Sequence, residues 1–513
     1  MKKIFTLILA AATCGQLFAG GIVTNTNQSA QFVRMLSRNA STQIDAVYFN
    51  PAGVVRMDDG FHFSLHNQTI FQTKTITSDF ALLKNKEFVG DVKAPLFPSF
   101  FAVYKKDKFA LSFGFGPNGG GGSAEFANGL PSFEMLVASQ DLPGQMTAAG
   151  IPTSDWDADI FFDGSSVYWG SQLNASYQIN EMLSVGAGVR MINAKNTYSG
   201  SIKTMVNPQS LLNPNGAGNM VSTPLFFNNM ASTFTDAAQN VQALSAGYAN
   251  LEEARDDGAL SAEAYGMLVQ LAGGTSYTPG TPLNLLEGGF TNTAATAAAY
   301  EQATADIEVE TTQTGMAFTP IFSAQFSPND KLDIAIKYEL NTSLTLTNDT
   351  KKDYADMFKH DSSFRADMPA ILAIGVGYKI SDKFRTQLSF NTYFDKQANW
   401  EGREDKVDKN LWEAALGLEY DINDMFTASI GFMRGVTGVG DEYQTDLSYS
   451  NSSTTIGLGV QIKPMENLSI DLGGLYVMYD DHSVDYLSGT PYAYNMNYAK
   501  TTTTLGIGVN YKF

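Results

Sequence analysis

Few side chains in this sequence could carry covalent or metal chemistry. The chain has four histidines and one cysteine. His62 and His66 share one strand face, but four residues apart they lie roughly 13 Å from each other, too far for one metal ion. His482 stands in the acidic segment "YDDHSVDY", which is typical of a solvated loop. No serine, histidine and acid are spaced as parts of a hydrolytic site. We therefore predict that the protein is not an enzyme and has no catalytic residue, metal or cofactor.

The first residues are typical of a secretory signal peptide, which we place at residues 1–19. Two lysines precede an apolar run, and Ala19 is the small residue before the expected cut. The single cysteine, Cys14, lies within this segment, so no thiol would remain after cleavage. Lipoprotein processing at "AATC" is the alternative, and Thr13 disfavours it.

The bulk composition limits the protein classes that remain. A formal net charge of −19 argues against nucleic acid as a partner. Charged residues make up 17% of the chain, below the roughly 25% of an average soluble domain. Past the signal peptide there is no apolar run of the ~18 residues that a membrane helix needs. The remaining classes are a large soluble exported protein and a transmembrane barrel.

Apolar residues alternate with small or polar ones along many segments of the chain. The last segment, "TTTTLGIGVNYKF", places on one face Leu505, Ile507, Val509, Tyr511 and Phe513. Period two indicates a strand with one apolar face. A soluble sandwich would also show this alternation. However, these segments reach the ~9–11 residues that a tilted strand needs to cross hydrocarbon, which favours the membrane.

The connections between these segments alternate between short and long. Short ones, such as 180–181 and 381–383, alternate with long ones, such as 117–164 and 200–305. Aromatic residues gather beside the short turns on the apolar face, namely Tyr104, Tyr177, Phe326, Tyr378, Phe384, Tyr420, Phe426, Tyr511 and Phe513. Short inner turns, long outer loops and a girdle of rings at the interface are typical of outer-membrane barrels.

We therefore predict an all-β fold, a 14-stranded antiparallel transmembrane β-barrel over residues 60–513, in the outer membrane of a Gram-negative bacterium. The expected strands are 60–78, 96–105, 108–116, 165–180, 182–199, 306–327, 331–347, 367–380, 383–395, 410–422, 425–434, 452–462, 468–480 and 499–513. The last strand would pair with the first and close the wall. Outer-membrane lipid would contact the wall, and Tyr511 and Phe513 would be an assembly signal for the barrel assembly machinery.

Residues 20–59 precede the first strand and form a segment that we call the hatch. The segment is rich in apolar and aromatic residues and has the pattern of short helices. A fourteen-strand barrel is wide enough for a pore, so a hatch inside it would plug the lumen. A periplasmic tail is the alternative, but such tails rarely carry so many aromatic residues.

One stretch of the hatch, "STQIDAVYFNPAGVVRM", resembles the hatch of the FadL family, outer-membrane transporters of long-chain fatty acids and other hydrophobic compounds. That family has an Asn-Pro-Ala(-Gly) motif, matched here by Asn50, Pro51, Ala52 and Gly53. The segments "APLFPSFFAVY", "MPAILAIGVGYKISDKF" and "WEAALGLEYDINDMFTASIGF" and the terminal phenylalanine add to the resemblance. It does not extend to 200–305, which we predict to be a long extracellular loop with helical stretches.

The resemblance implies passive uptake of a long-chain fatty acid or another hydrophobic small molecule, gated by the hatch. The molecule would leave sideways through a gap in the wall near the third strand. Gly114, Gly116 and Pro117 are the candidates for this opening, since proline lacks a donor and glycine pairs poorly. A flexible loop start explains the same residues equally well. Phe49 and Val54 of the hatch would face the wall or the ligand.

The resemblance also implies cations for the ligand carboxylate. The acid-binding arginine of the family aligns with Lys195, but strict alternation points Lys195 outward and Arg190 inward. A second cation of the family aligns with Glu404, a departure that leaves Arg403 and Lys406 as the nearby candidates. A solvated charge remains the alternative for each of these residues.

The rival function is that of a general porin, or of a structural outer-membrane barrel without transport of hydrophobic substrates. A porin lumen would hold opposing charges and no apolar plug, so the composition of the hatch argues against it.

Overall fold

The structure is a computed structural model that describes residues 21–354 and 357–513. The predicted signal peptide, residues 1–19, lies outside the described residues. The chain forms two compact units. The first comprises the chain up to Met135 together with Phe161–Gly200 and Glu308–Phe513, and the second comprises Leu136–Ile160 and Ser201–Ile307.

Fourteen antiparallel strands form the wall of a closed barrel within the described residues, as predicted. They are β1 (Gly60–Ser78), β2 (Glu87–Lys106), β3 (Phe109–Phe126), β4 (Thr153–Gln178), β5 (Leu183–Pro208), β6 (Ile307–Asn329), β7 (Leu332–Glu339 and Thr345–Asp353), β8 (Ser363–Arg365 and Ile371–Lys379), β9 (Phe384–Tyr393), β10 (Leu411–Asp421), β11 (Phe426–Val436), β12 (Ser453–Met465), β13 (Leu468–Tyr479 and His482–Tyr486) and β14 (Tyr494–Lys512). A two-residue strand, Val221–Ser222, adds to β5.

The barrel closes between β1 and β14. The pairing runs without a register shift from His62 opposite Lys512 to Ser78 opposite Met496. The backbone N–H of Phe513 donates to the carbonyl oxygen of Phe61 at 2.9 Å. The unbroken alternation at the end of the sequence is therefore a closing strand rather than an exposed edge.

The outer face of the barrel carries a band of exposed apolar side chains. Leu65, Leu173, Leu388 and Leu458 are each more than half exposed, which only an apolar surrounding makes favourable. Eight of the nine girdle aromatics are also exposed, namely Tyr104, Tyr177, Phe326, Tyr378, Tyr420, Phe426, Tyr511 and Phe513. This surface makes the barrel a transmembrane one.

Several strands extend further than the sequence pattern predicted. The second strand begins at Glu87 instead of residue 96, and the third continues to Phe126 instead of ending at 116. β4 likewise begins at Thr153. The extensions lie at the long-loop ends, where the apolar residues are fewer and less regularly spaced, as in the β3 segment "PNGGGGSAEF". Alternation of hydrophobicity stops there, although the hydrogen-bonded ladder continues.

Helices occur in the hatch and in the long connections. The hatch has α1 (Ala30–Met35), α2 (Ala46–Phe49) and a 3₁₀ turn (Pro51–Arg56); the others are α3 (Pro131–Ala138), α4 (Leu142–Ala148), α5 (Thr223–Leu244), α6 (Leu251–Asp256), α7 (Ala262–Leu271) and α8 (Leu283–Ala303). Ser29 caps α1 by accepting a hydrogen bond from the backbone N–H of Phe32. Among the described residues, no helix combines the length and the apolar character needed to cross a bilayer.

The second unit has a hydrophobic core of its own. Phe234 and Val241 of α5 pack with Leu283 and Phe290 of α8, and the rings of Phe234 and Phe290 lie 5.7 Å apart. Leu251 at the start of α6 is completely buried in the same cluster. This part of the insertion is therefore a folded helical element.

Candidate functional site

The hatch fills the barrel lumen and packs against the inner wall. Its aromatic residues form one apolar cluster with wall residues such as Phe101, Val103 and Leu475. Phe32 stacks on Phe49 with ring centroids 5.6 Å apart. Phe49 and Val54, predicted to face the wall or a ligand, are buried in this cluster at 3% and 0% exposure.

A band of glycines on the inner wall lets α1 approach the barrel backbone. Gly417, Gly431 and Gly457 lie directly opposite one another on β10, β11 and β12. A Cβ added at Gly431 would lie 1.9 Å from the carbonyl oxygen of Met35, and one at Gly457 would lie 2.5 Å from that of Val33. Any larger residue would push α1 off the wall.

Ion pairs fix α1 to the same side of the barrel. Arg34 is fully buried, and its guanidinium bonds to the carboxylates of Glu419 and Asp471, at 2.9 Å for Asp471. It also donates to the Ser429 hydroxyl at 2.8 Å. A buried charge is tolerated only with such partners. Burial lowers the pKa of Arg34, but the two carboxylates raise it by more, so the guanidinium stays protonated.

The Asn-Pro-Ala-Gly motif is held by hydroxyl and amide groups of three neighbouring strands. Ser176 of β4 donates to the Pro51 carbonyl at 2.7 Å, and Ser184 of β5 donates to the Ala52 carbonyl at 2.9 Å. The Ala52 N–H donates to the Ser323 hydroxyl of β6 at 2.9 Å. The backbone of this turn is therefore satisfied by the wall rather than by the hatch alone.

Asn50 and Gly53 give the motif its shape. The Asn50 side-chain amide donates to the Gln325 side chain of β6, and its backbone carbonyl accepts from the Gly53 N–H at 2.7 Å. A Cβ on Gly53 would lie 2.2 Å from the Ser41 carbonyl oxygen, so the turn has no room for a side chain there. Pro51 opens the 3₁₀ turn at the position where its missing N–H costs nothing.

A charged cluster surrounds Tyr48 of the hatch. The guanidinium of Arg190 bonds to Glu339 at 2.6 and 3.0 Å, and the Lys337 ammonium bonds to the same carboxylate at 2.6 Å. Lys337 also donates to the Tyr48 carbonyl at 2.9 Å. Both cations lie over the Tyr48 ring, at 4.8 and 4.5 Å from its centroid. Two cations share one carboxylate here, which leaves a net positive charge.

The other cations that were candidates from the sequence lie apart from this cluster. Lys195 is exposed, on the opposite face of β5 from Arg190. Arg403 is buried and donates to the carbonyl oxygens of Tyr443 and Ser448 at 3.2 and 2.8 Å. Lys406 is half-buried in the loop between β9 and β10. Of the four cations predicted from the sequence, the structure therefore places only Arg190 beside Tyr48, which precedes the Asn-Pro-Ala-Gly motif by two residues.

The hydrogen-bonded seam between β2 and β3 is interrupted. Residues pair from Phe100 to Lys106 of β2 and again at Asp91 and Val92, but not between Val92 and Phe100. The unpaired stretch of β2 holds Pro95 and Pro98, and the stretch of β3 opposite holds Pro117 and glycines. Proline removes ladder donors, and glycine bends the strand. We call this interruption the β2–β3 gap.

The start of the hatch binds the stretch of β3 that leaves β2. The Gly120 N–H donates to the Val23 carbonyl at 2.8 Å, and the Asn25 N–H donates to the Asn118 carbonyl at 2.9 Å. Gln28 donates to the Pro117 carbonyl at 2.6 Å. The candidates Gly114 and Gly116 lie nearby, where added Cβ atoms would meet Val47 and Gln28 of the hatch. Backbone groups freed by the gap are thus satisfied by the hatch.

The second unit has an apolar cavity of about 250 Å³. α4 contributes Leu142 and Met146, α5 contributes Phe227 and Met230, and α8 contributes Tyr300. A space of this size with mostly apolar lining suits a small hydrophobic molecule.

Sequence reasoning missed the residues that hold the hatch. The wall serines and Gln325 are ordinary inward-facing polar residues of a strand, and nothing in the alternation distinguishes them. The glycine band had a signal, because glycine recurs at inward positions of β10, β11 and β12. It becomes meaningful only when the strands are aligned in register.

Comparison with known proteins gives structural likeness without sequence likeness. No protein-family model and no curated protein sequence matches the chain. A Pseudomonas aeruginosa FadL homologue is 12% identical, with a TM-score of 0.57, over 97% of this chain and 100% of that one. The Pseudomonas putida toluene transporter TodX is 12% identical, with a TM-score of 0.51, over 96% and 100%. At these identities the likeness shows the fold, which is that of the FadL family.

Proposed function

We propose that this protein, whose fold is that of the FadL family, is a passive channel for hydrophobic molecules in the outer membrane of a Gram-negative bacterium. Long-chain fatty acids are the substrate class that we favour. The hatch gates the channel, and the molecule leaves sideways into the membrane. The known proteins of similar fold include a FadL homologue and a toluene transporter, which supports transport of hydrophobic compounds.

The observation that carries the proposal is the β2–β3 gap with the hatch bound to it. An acyl chain gains little from an aqueous exit and about 0.8 kcal/mol per CH₂ from an apolar one. The gap offers such an exit at the level of the lipid-facing band. Because Val23 and Asn25 bond to the freed backbone groups of β3, exit requires the start of the hatch to move.

Capture and head-group binding involve other parts of the molecule. The apolar cavity of the second unit would first take up the substrate. Inside the barrel, the carboxylate of a fatty acid would meet the net positive cluster of Arg190 and Lys337, with Phe49 and Val54 exposed to the chain once the hatch shifts. Arg403 and Lys406 would add positive charge along the loop between β9 and β10.

A reversible cross-link tests the gating step. Thr24 and Gly119 are partners in an isolated antiparallel bridge of the type in which Cα atoms lie about 4.5 Å apart, a separation that a disulfide spans. The Thr24→Cys/Gly119→Cys variant should take up labelled oleate when reduced and lose most of this uptake when oxidised. The single variant Gly119→Cys is the control, because an added Cβ lies 3.1 Å from the Tyr168 ring.

Two results would contradict the proposal. Equal oleate uptake by the oxidised and the reduced double variant would show that the hatch does not gate exit. Rapid passage of small sugars through the wild-type protein would favour the general porin.

A further inference from the structure

Two lysines of the barrel interior face each other without a partner of opposite charge. Lys74 of β1 and Lys500 of β14 are direct cross-strand partners. Both lie on the inner face, since Ile76 and Tyr498, two residues further along each strand, are buried. Neither lysine forms a hydrogen bond or an ion pair with any of the described residues.

This arrangement costs stability by itself. Like charges directly opposite each other on a sheet repel. The chain has 52 acidic and only 33 basic residues, so carboxylates are plentiful. Three buried cations inside the barrel are paired with carboxylates: Arg34 with Asp471, and Arg190 and Lys337 with Glu339. The two half-buried lysines differ from these three cations because they have no carboxylate partner.

Aromatic rings surround the two ammonium groups. Tyr449, from the loop between β11 and β12, has its ring centroid 5.9 Å from both ammonium nitrogens. The Tyr479 ring lies 4.2 Å from that of Lys500. Tyr449 is fixed by a hydrogen bond from its hydroxyl to the Ala499 carbonyl at 2.8 Å. Rings hold the cations in place without neutralising them.

There is also room beside Lys500. β13 is interrupted at Asp480 and Asp481, so Lys500 has no partner on that strand. A cavity of about 180 Å³ lies at this break. Lys500, Tyr479 and Asp481 line it together with outward-facing residues of β1, β13 and β14. Asp481 lines the cavity without forming an ion pair with Lys500.

We propose that Lys74 and Lys500 form a site for the anionic head group of an amphiphile, a carboxylate or a sulfonate, with Tyr449 and Tyr479 against the start of its tail. Two ammonium groups offer six donors to the oxygens of one anion, and the bonds are charge-assisted. The anion would also remove the repulsion between the lysines. The inference rests on the proposed function, because it assumes that amphiphiles enter the lumen.

Binding of a matched pair of probes tests this site. Octanoate and octanol have the same chain length and differ in charge, so we would measure both by equilibrium dialysis against the full-length protein in nanodiscs. Wild-type protein should bind octanoate more tightly than octanol, and this preference should fall with added salt. Octanesulfonate should compete with octanoate.

Substitutions assign the preference to the lysines. Lys74→Gln/Lys500→Gln should weaken octanoate binding about tenfold or more, the loss of at least one charge-assisted bond, and leave octanol binding unchanged. Lys74→Arg/Lys500→Arg should keep most of the octanoate affinity. The control is Lys351→Gln/Lys352→Gln, which removes the same charge from exposed lysines paired with Glu310 and Glu308.

A structural role would give a different result. The glutamine variant should unfold at the same or a higher temperature than the wild type, because repulsion is relieved. Equal loss of octanoate and octanol binding, or a lower unfolding temperature, would overturn the proposal. So would wild-type protein that binds octanol but shows no preference for octanoate, while the proposed function would stand. Failure to bind either probe would overturn both.

Discussion

Two seams of the barrel wall differ in how they are built. The β1–β14 seam closes the barrel with seventeen consecutive residue pairs and no register shift. The β2–β3 seam loses its pairing between Val92 and Phe100. Threonines and alternating apolar residues build the first seam, whereas prolines and glycines occupy the second. The wall is therefore continuous at the seam that closes the barrel. It is interrupted at the seam where proline and glycine remove or weaken the ladder hydrogen bonds.

The hatch makes different kinds of contact with the wall at these two seams. At the closed side, α1 lies against glycines and is tied by Arg34 to Asp471 of β13. At the β2–β3 gap, the Val23 carbonyl accepts from Gly120 and the Asn25 N–H donates to Asn118, and these bonds replace those that β2 does not make. Ion pairs buried from water are hard to break, but a few backbone bonds of a terminal segment open readily. We infer that the hatch moves at the gap while α1 stays fixed.

The largest expected difference between the two seams is in how well each tolerates a proline substitution. Val509 lies in the C-terminal part of β14 and is paired on both sides, with Leu65 and Ile470. Val509→Pro removes a donor from a fully paired strand and should prevent formation of the folded barrel. Gly121 is bulged out of the β3–β4 pairing, and an added Cβ there meets nothing within 4 Å. Gly121→Pro should fold normally. The heat-dependent gel shift of folded barrels measures both, and equal folding of the two variants would contradict the distinction.

Removal of Phe513 should reduce assembly severalfold. Its side chain is 73% exposed, so little burial is lost, and its ring contacts Phe63 and Tyr511 at 5.4 and 4.6 Å. We expect the residue to act as a signal to the assembly machinery rather than as a packing element. Met465→Ala is the control, since Met465 is 62% exposed near a short turn. Outer-membrane levels of the truncated protein that equal those of the control would refute this role.

The double substitution Asn50→Ala/Pro51→Ala should lower uptake of labelled oleate while the barrel stays folded. It removes the bond to Gln325 and the fixed φ of the turn, and closure of the wall depends on neither. Asn213→Ala/Pro214→Ala is a matched control, another Asn-Pro pair outside the hatch. Oleate uptake by the Asn50 variant at the level of this control would show that the motif does not gate the channel.

The wall could be predicted from sequence better than the contacts inside it. Alternation gives the strands because lipid selects apolar residues at every second position, as from Leu505 to Phe513. The pattern fades beyond the lipid band, so the extension of β3 through "GPNGGGGSAEF" was missed. Ser176 and Ser323 hold the motif only because the barrel brings β4 and β6 to the same height. The lysine pair was missed for the same reason, since 426 positions along the chain separate Lys74 from Lys500.

The smallest expected effect concerns a loop on the side of the barrel opposite the gap. Asp395, between β9 and β10, is 1% exposed and accepts a hydrogen bond from the Leu411 N–H at 3.1 Å. Burial raises the pKa of its carboxyl to about 7.

A raised carboxyl pKa means that the folded loop binds a proton which the open loop releases above its ordinary pKa of about 3.8. The closed loop is therefore most stable at low pH and loses this stability as the pH rises towards 7. Amide exchange of 395–411, corrected for its intrinsic pH dependence, should increase over this range. Asp395→Asn keeps an acceptor for Leu411 and cannot ionise, so the exchange rate of 395–411 in this variant should not change with pH.

Amides of 118–120 at the gap serve as the internal control. They should show no such change in either protein, because Asp395 lies in a different loop and does not contact them. An equal pH response at the gap would mean that the two sides of the wall open together, and the contrast between the seams would then be wrong.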